Sequence, residues 1–262
     1  MNAVEVIAGD GPVVLGLPHT GTEVPPDVWD MLNARGRELS DTDWHVHRLY
    51  DGLLPGLTVV RATFHRYVVD ANRPPGGESL YPGQATTGLV PETDFDGNPL
   101  WSEPPGPEEV AERVARFHAP YHASLAAEVE RVRERHGVVL LWDAHSIRST
   151  VPRLFPGTLP DLNLGTFDGR SCAPAVEAAA WEFSQSSPFR SVLNGRFKGG
   201  WTTRHYGHPE RGVHAVQMEI SHSAYLESES APWTYSERKA GRLRPWLRDI
   251  MEAAQDAALE AR

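Results

Sequence analysis

Val138-Val139-Leu140-Leu141-Trp142 is an apolar run that gives way at once to Asp143-Ala144-His145-Ser146-Ile147-Arg148-Ser149. A run this short and this uniformly apolar reads as a strand buried on both faces, as inside a parallel sheet. Its abrupt polar end matters as much. In open α/β sheets ligands collect beyond the carboxyl ends of such strands. A second stretch repeats the design: Val13-Val14-Leu15-Gly16-Leu17 ends in Pro18-His19-Thr20-Gly21-Thr22-Glu23. Two strand-end histidines can converge on one point at a carboxyl edge, which points to a metal site. As loop histidines or helix caps, the same residues would need no ligand.

The remaining segments follow an α/β rhythm. Apolar residues at Val110, Val114, Phe117, Tyr121, Leu125, Val129 and Val132 predict a helix over 107–136, divided or kinked at Pro120 and stopped by Gly137. Strands are expected at Leu57–Ala62 and Val213–Ile220, with a β-rich piece at Tyr67–Val69. Helices are expected from Ser40 or Asp41 through Tyr50, over Val176–Phe183 and over Ser236–Ala258. Leu159–Ser171 is polar and turn-rich after an alternating start. Residues 76–107 are rich in Gly and Pro and include Tyr81-Pro82-Gly83-Gln84. A loop of that length inside a compact domain reads as a lid or wall beside a site. Asn194–Gly207, with its double glycine, reads as a second site loop. No composition break divides residues 1–262, which are read as one domain.

Composition narrows the partners. The net charge of −10, with no block of Lys and Arg, argues against nucleic acid or an anionic membrane surface. No apolar run approaches membrane-spanning length, and no signal segment opens the chain. One cysteine, Cys172, permits no internal disulfide, so a reducing, cytoplasmic setting is expected. Cys172 is read as a small packed residue, not as a nucleophile.

Catalytic metal sites use three protein ligands and an open position. His19, Asp43 and His145 offer two imidazoles and a carboxylate from separate segments. Glu219, a lone glutamate near the end of an apolar strand, suits a general base. Arg66, Asn72 and Arg73 could hold a carboxylate and polarise a carbonyl. The chemistry so implied is metal-assisted hydrolysis of an amide in a small acidic molecule. A serine mechanism through Ser146 or Ser149 lacks the Gly-x-Ser-x-Gly elbow. A metabolite-binding domain without chemistry is the other competing reading.

Several stretches together resemble one family. They are Pro18-His19-Thr20-Gly21, Asp41-Thr42-Asp43, Arg66-Tyr67-Val68-Val69-Asp70-Ala71-Asn72-Arg73-Pro74, Asp143-Ala144-His145-Ser146-Ile147-Arg148-Ser149 and Gln217-Met218-Glu219-Ile220-Ser221. Leu80–Gln84, Leu159–Thr166 and Asn194–Gly207 extend the match over nearly the whole chain. The chain resembles the N-formylglutamate amidohydrolases (N-formylglutamate deformylases) of histidine degradation. That resemblance implies hydrolysis of N-formyl-L-glutamate to formate and L-glutamate, with a divalent metal, zinc first, as cofactor. It also implies a mixed, mostly parallel sheet with helices on both faces, similar to the zinc carboxypeptidases and aspartoacylases. In that wider group an Asn-Arg pair holds the substrate carboxylate, matched here by Asn72-Arg73, and a strand-borne glutamate is the base, matched by Glu219. The carboxypeptidases place a His and a Glu three apart. Here Thr22 stands three after His19 and Glu23 one further, so Asp43 is preferred as the carboxylate ligand, with Asp41 and Glu23 as alternatives. A substrate with two carboxylates suits Arg66, Arg73, Arg148, Arg196 and Arg204. Other acylated amino acids, of the aspartoacylase type, would need similar groups.

Overall fold

In the computed structural model, which describes residues 2–80 and 83–261, one seven-stranded sheet runs in the order β1-β3-β2-β4-β7-β5-β6. The strands are β1 (Val4–Ile7), β2 (Val13–Leu17), β3 (Thr58–Ala62), β4 (Val139–Ile147), β5 (Leu162–Gly165), β6 (Ser191–Leu193) and β7 (Val213–Ser221). The β3-β2-β4-β7 core is parallel, β1 lies antiparallel to β3, and β5 lies antiparallel to β7. From β2 the chain moves outward to β3 and then returns to β2's other side as β4. The carboxyl ends of β2 and β4 therefore flank a switch point, where open α/β sheets bind ligands. The mixed α/β sheet with helices on both faces is the expected class.

Alternation along the central strands assigns the two faces. Leu140, Trp142 and Ala144 of β4 join Leu15 and Leu17 of β2 beneath α5 (Pro174–Ser186) and α7 (Glu237–Glu260). There they meet Val176 and Ala180 of α5, and Leu243, Leu247 and Ile250 of α7. On the other face Val139 and Leu141 pack with Val14, Val60 and Ala215 under α4 (Ala119–His136), through Tyr121, Leu125, Val129 and Val132. The apolar stripe of the 107–136 segment is thus the cover of this second face.

Several elements depart from the sequence reading for identifiable reasons. The 107–136 segment is α3 (Pro107–Arg113), a wide turn over Val114–His118, then α4. In the wide turn the Ala119 N–H reaches back five residues to the Val114 carbonyl. Pro120 has no N–H to give, and a widened turn admits its ring. Gly137, at φ 77°, ends α4 in the left-handed cap that its position predicts. The helix expected from Ser40 or Asp41 begins only at Val46, as α2 (Val46–Tyr50), because His45 sits at φ 62°. Residues 41–44 instead form a turn. Tyr67–Val69 is a buried turn and not a strand. β4 runs on through Asp143 and His145 to Ile147, so the polar cluster lies within the strand and not beyond it. β5 (Leu162–Gly165) lies in the alternating start of the 159–171 segment, which the sequence marks as turn-rich. Tyr81 and Pro82 lie outside the described residues. Among the described residues no helix is long and apolar enough to cross a membrane.

Candidate active site

On the α4 face, each central strand changes character along its length. β4 goes from Val139 and Leu141 to Asp143 and His145, and β7 from Val213 and Ala215 to Gln217 and Glu219. The parallel register sets Asp143 beside Gln217 and His145 beside Glu219. α4 covers the apolar halves. The polar halves lie under residues 66–73 and 194–206, and between them is an open cavity lined by both.

His19 follows β2, and His145 stands on β4. Asp43 joins them from the turn before α2, held by its N–H to the His19 carbonyl at 3.0 Å. All three side chains are buried, and one ligand atom from each lies within 4.8 Å of the others. Asp43 Oδ2 is 3.1 Å from His145 Nδ1 and 3.7 Å from His19 Nδ1. Tetrahedral ligands roughly 2.1 Å from an ion stand roughly 3.4 Å apart, and the two separations from Asp43 bracket that value. The inner nitrogen of His19 adds to the fit: Nδ1 is buried with no hydrogen-bond partner. Its lone pair faces a carboxylate, an arrangement that repels unless a cation lies between. Burial and the Arg66 charge both lower the proton affinity of His19, so a proton is a poor candidate for that place. A divalent ion fits.

The outer nitrogens are held by carboxylates, as the imidazoles of metal sites usually are. His19 Nε2 donates to Asp70 Oδ1 at 2.7 Å, and His145 Nε2 donates to Asp143 Oδ1 at 3.0 Å. Burial would lower the His145 pKa, but Asp143 and Asp43 outweigh it and hold the imidazole well above its usual range. Burial works against the Asp70 charge too, yet Arg66 and His19 keep its carboxyl well below the carboxylate range. Asp143 is fixed in turn by the Thr203 hydroxyl at 3.0 Å, from α6 (Trp201–Tyr206). Burial raises Glu219 to about 8, and the residue lines the cavity.

Of the two other carboxylates considered for the ion, Asp41 is turned aside to accept the Phe95 N–H at 2.9 Å, and Glu23 is exposed. The Asp41 carboxyl is pushed up to about 7 by burial. Arg66, Arg73 and Arg196 line the cavity. Arg66 binds Asp70 Oδ2 at 2.6 Å and lies over the Phe95 ring. Arg73 is braced by the Thr87 carbonyl and hydroxyl, both at 2.9 Å. Asn72 also lines the cavity. Its Oδ1 accepts from Thr202 N–H at 2.8 Å, and its Nδ2 lies 2.9 Å from His145 Nε2. A Cβ at Gly200 would stand 2.3 Å from that Nδ2, so the second site loop can approach only as glycine. Arg148 and Arg204 are not among the lining residues. Arg148 pairs with Asp96 at 2.8 Å, and Arg204 bonds the carbonyls of Gly199 and Leu80.

The site contains residues to which the sequence reading gave no role. Asp70, Thr203 and Gln217 act on the walls and not on a ligand. The hint available for Asp70 was a lone carboxylate between apolar Tyr67-Val68-Val69 and Ala71, two before Asn72. Thr86, Thr87 and Phe95 bring the 76–107 loop into the cavity wall.

The chain is similar to known proteins along most of its length. A family model described as N-formylglutamate amidohydrolase matches residues 11–226. The N-formylglutamate deformylase of Pseudomonas putida is 46% identical over 246 residues, covering 92% of this chain and 91% of that protein. The N-formylglutamate deformylase of Pseudomonas aeruginosa is 46% identical over 249 residues, covering 94% and 93%. The crystal structure of N-formylglutamate amidohydrolase from Ralstonia eutropha JMP134 superposes with a TM-score of 0.80 at 27% identity, over 97% of both chains. A structure from Agrobacterium tumefaciens, 19% identical with a TM-score of 0.74, covers 98% of this chain and 96% of that one and shares the fold.

Proposed function

The chain belongs to the N-formylglutamate amidohydrolase family, and from that premise we propose that it is a metal-dependent amidohydrolase of the cytoplasm. It hydrolyses N-formyl-L-glutamate to formate and L-glutamate, a step of histidine degradation. The observation that carries the reading is one cavity holding both His19-Asp43-His145 and three arginines. The first set suits a divalent ion, zinc by its nitrogen and oxygen donors and close spacing. The second suits a small molecule with two carboxylates, even on a chain of net charge −10.

His19, Asp43 and His145 hold the ion, whose chemistry when bound is Lewis acidity toward a carbonyl and toward water. Arg66 and Arg73 bind a carboxylate of the substrate, and Arg196 lies on the same cavity for the other. Asn72, tied to the Thr202 N–H, keeps the Arg73 segment against the catalytic wall. Glu219 takes a proton from the attacking water as its oxygen bonds the formyl carbon. It returns that proton to the nitrogen as the C–N bond breaks, so glutamate leaves as an amine. Asp70 and Asp143 keep the two imidazoles turned with their inner nitrogens toward Asp43.

The test is formate release from N-formyl-L-glutamate by purified protein, before and after chelation, with zinc then added back. Loss of formate on chelation and recovery with zinc is the expected result. Full turnover in a metal-stripped sample would remove the metal from the account. Turnover of N-acetyl-L-aspartate with none of the formyl substrate would move the chain to the aspartoacylase-type reading.

A further inference from the structure

The three candidate ligands are not tied to one another in the same way. Asp43 is linked to His19 directly, through its N–H and the His19 carbonyl. Asp43 and His145 come from segments 102 positions apart in sequence. The β2–β4 register ends at Gly16 and Asp143, two residues short of His145. Beyond that point, apart from the Asp43–His145 contact itself, the turn carrying Asp43 is joined to β4 through the side chain of Tyr225.

Tyr225 follows β7 and is fully buried. Its hydroxyl donates to the carbonyl of Trp44 at 2.7 Å and lies 2.8 Å from Ser146 Oγ. Trp44 is the chain neighbour of Asp43, and Ser146 is the chain neighbour of His145. His222 adds a second hold on the same serine, its Nε2 standing 3.1 Å from Ser146 Oγ. The Trp44 ring is further stacked on Trp233, at 5.7 Å between centroids. The bridge therefore spans the gap between Asp43 and His145, which no main-chain bond among the described residues closes. It does so from the opposite side of β4, since Ser146 and His145 alternate across the strand.

The geometry points to Tyr225 as a positioning residue: it fixes the separation of Asp43 and His145 through Trp44 and Ser146, and so sets the affinity of the site for its ion. This inference rests on the metal-site reading above. Tyr225 touches neither substrate nor ion; it acts through the two backbones. Groups hydrogen-bonded to a metal's ligands typically change its affinity by roughly 10- to 100-fold when lost, and Tyr225, one residue further out, belongs at the low end of that range.

The test measures zinc affinity by competition with a chromophoric chelator for wild type, Tyr225→Phe, Ser146→Ala and the double variant. Thermal unfolding of the metal-free proteins is measured beside it. Phenylalanine keeps the ring and removes only the bridge. Tyr225→Phe should weaken zinc binding roughly tenfold or more. The double variant should lose little beyond the larger single loss, because both changes break one bridge. If Tyr225→Phe does not fold, Ser146→Ala reads the same bridge from its other end. Zinc affinity unchanged in either folded variant, with the melting temperature alone lowered, would make the bridge ordinary packing and overturn the inference. Wild-type protein that binds zinc, with loss of binding in His145→Ala, keeps the metal site whatever Tyr225 does. Wild-type protein that takes up no zinc overturns both.

Discussion

Leu141 and His145 stand four residues apart on the same face of the same strand, and both are buried. What differs is the cover. Leu141 lies under the apolar stripe of α4, where burial is favourable in itself, about 25 cal/mol for each Å² removed from water. His145 lies under the 66–73 segment and the 194–206 loop, where burial is unfavourable for a polar ring unless each nitrogen is answered. Asp43 and Asp143 answer them. The lesson is that one sheet face serves as core and as site by changing what is laid over it. The opposite face, beneath α5 and α7, is apolar along β4 through Leu140, Trp142 and Ala144 and turns polar only at Ser146.

The sharpest way to break this contrast is to truncate both residues. His145→Ala should abolish zinc binding and formate release together, while a Leu141→Ala protein should lose about 2–5 kcal/mol of stability and keep a full zinc equivalent per folded chain. Unfolding curves paired with metal analysis read both; zinc at full occupancy in His145→Ala would undo the distinction. Next in size, Glu219→Gln should retain zinc while turnover falls roughly 10²- to 10⁴-fold, since its shape stays and its proton transfer goes. A rate near wild type would take Glu219 out of the mechanism. Arg73→Lys exchanges a planar fork for a point charge and should raise KM about tenfold with a smaller change in kcat; an unmoved KM would place the substrate carboxylate elsewhere. The smallest effect belongs to the apolar face. Ser236 caps α7 by accepting the Lys239 N–H at 3.3 Å. Ser236→Ala should cost about 1 kcal/mol of stability and leave kcat/KM as it was.

The same contrast explains what could be read in advance. Apolar strands ending in histidine announce themselves, because a β-run and its polar stop are local in sequence. β2, β4 and β7, with His19, His145 and Glu219 near their ends, were legible for that reason. Asp43 was legible only as chemistry. Its turn looks like a helix start, and only the left-handed conformation of His45 separates turn from helix. The partners of the imidazoles were not legible. Asp70 reaches His19 across 51 positions of sequence, and Thr203 reaches Asp143 across 60, contacts that depend on topology and leave no periodicity. The arginines divide the same way. Arg66 and Arg73 sit in a segment that the fold lays over the site, whereas nothing in the sequence marks Arg148 as the partner of Asp96.

The central claim is that the polar end of this face is built around an ion, and zinc-edge anomalous diffraction from zinc-soaked crystals tests it most directly. The account predicts one anomalous peak per chain, roughly 2.0–2.2 Å from His19 Nδ1, Asp43 Oδ2 and His145 Nδ1. A peak held by other residues, or full activity in crystals that show none, would contradict it.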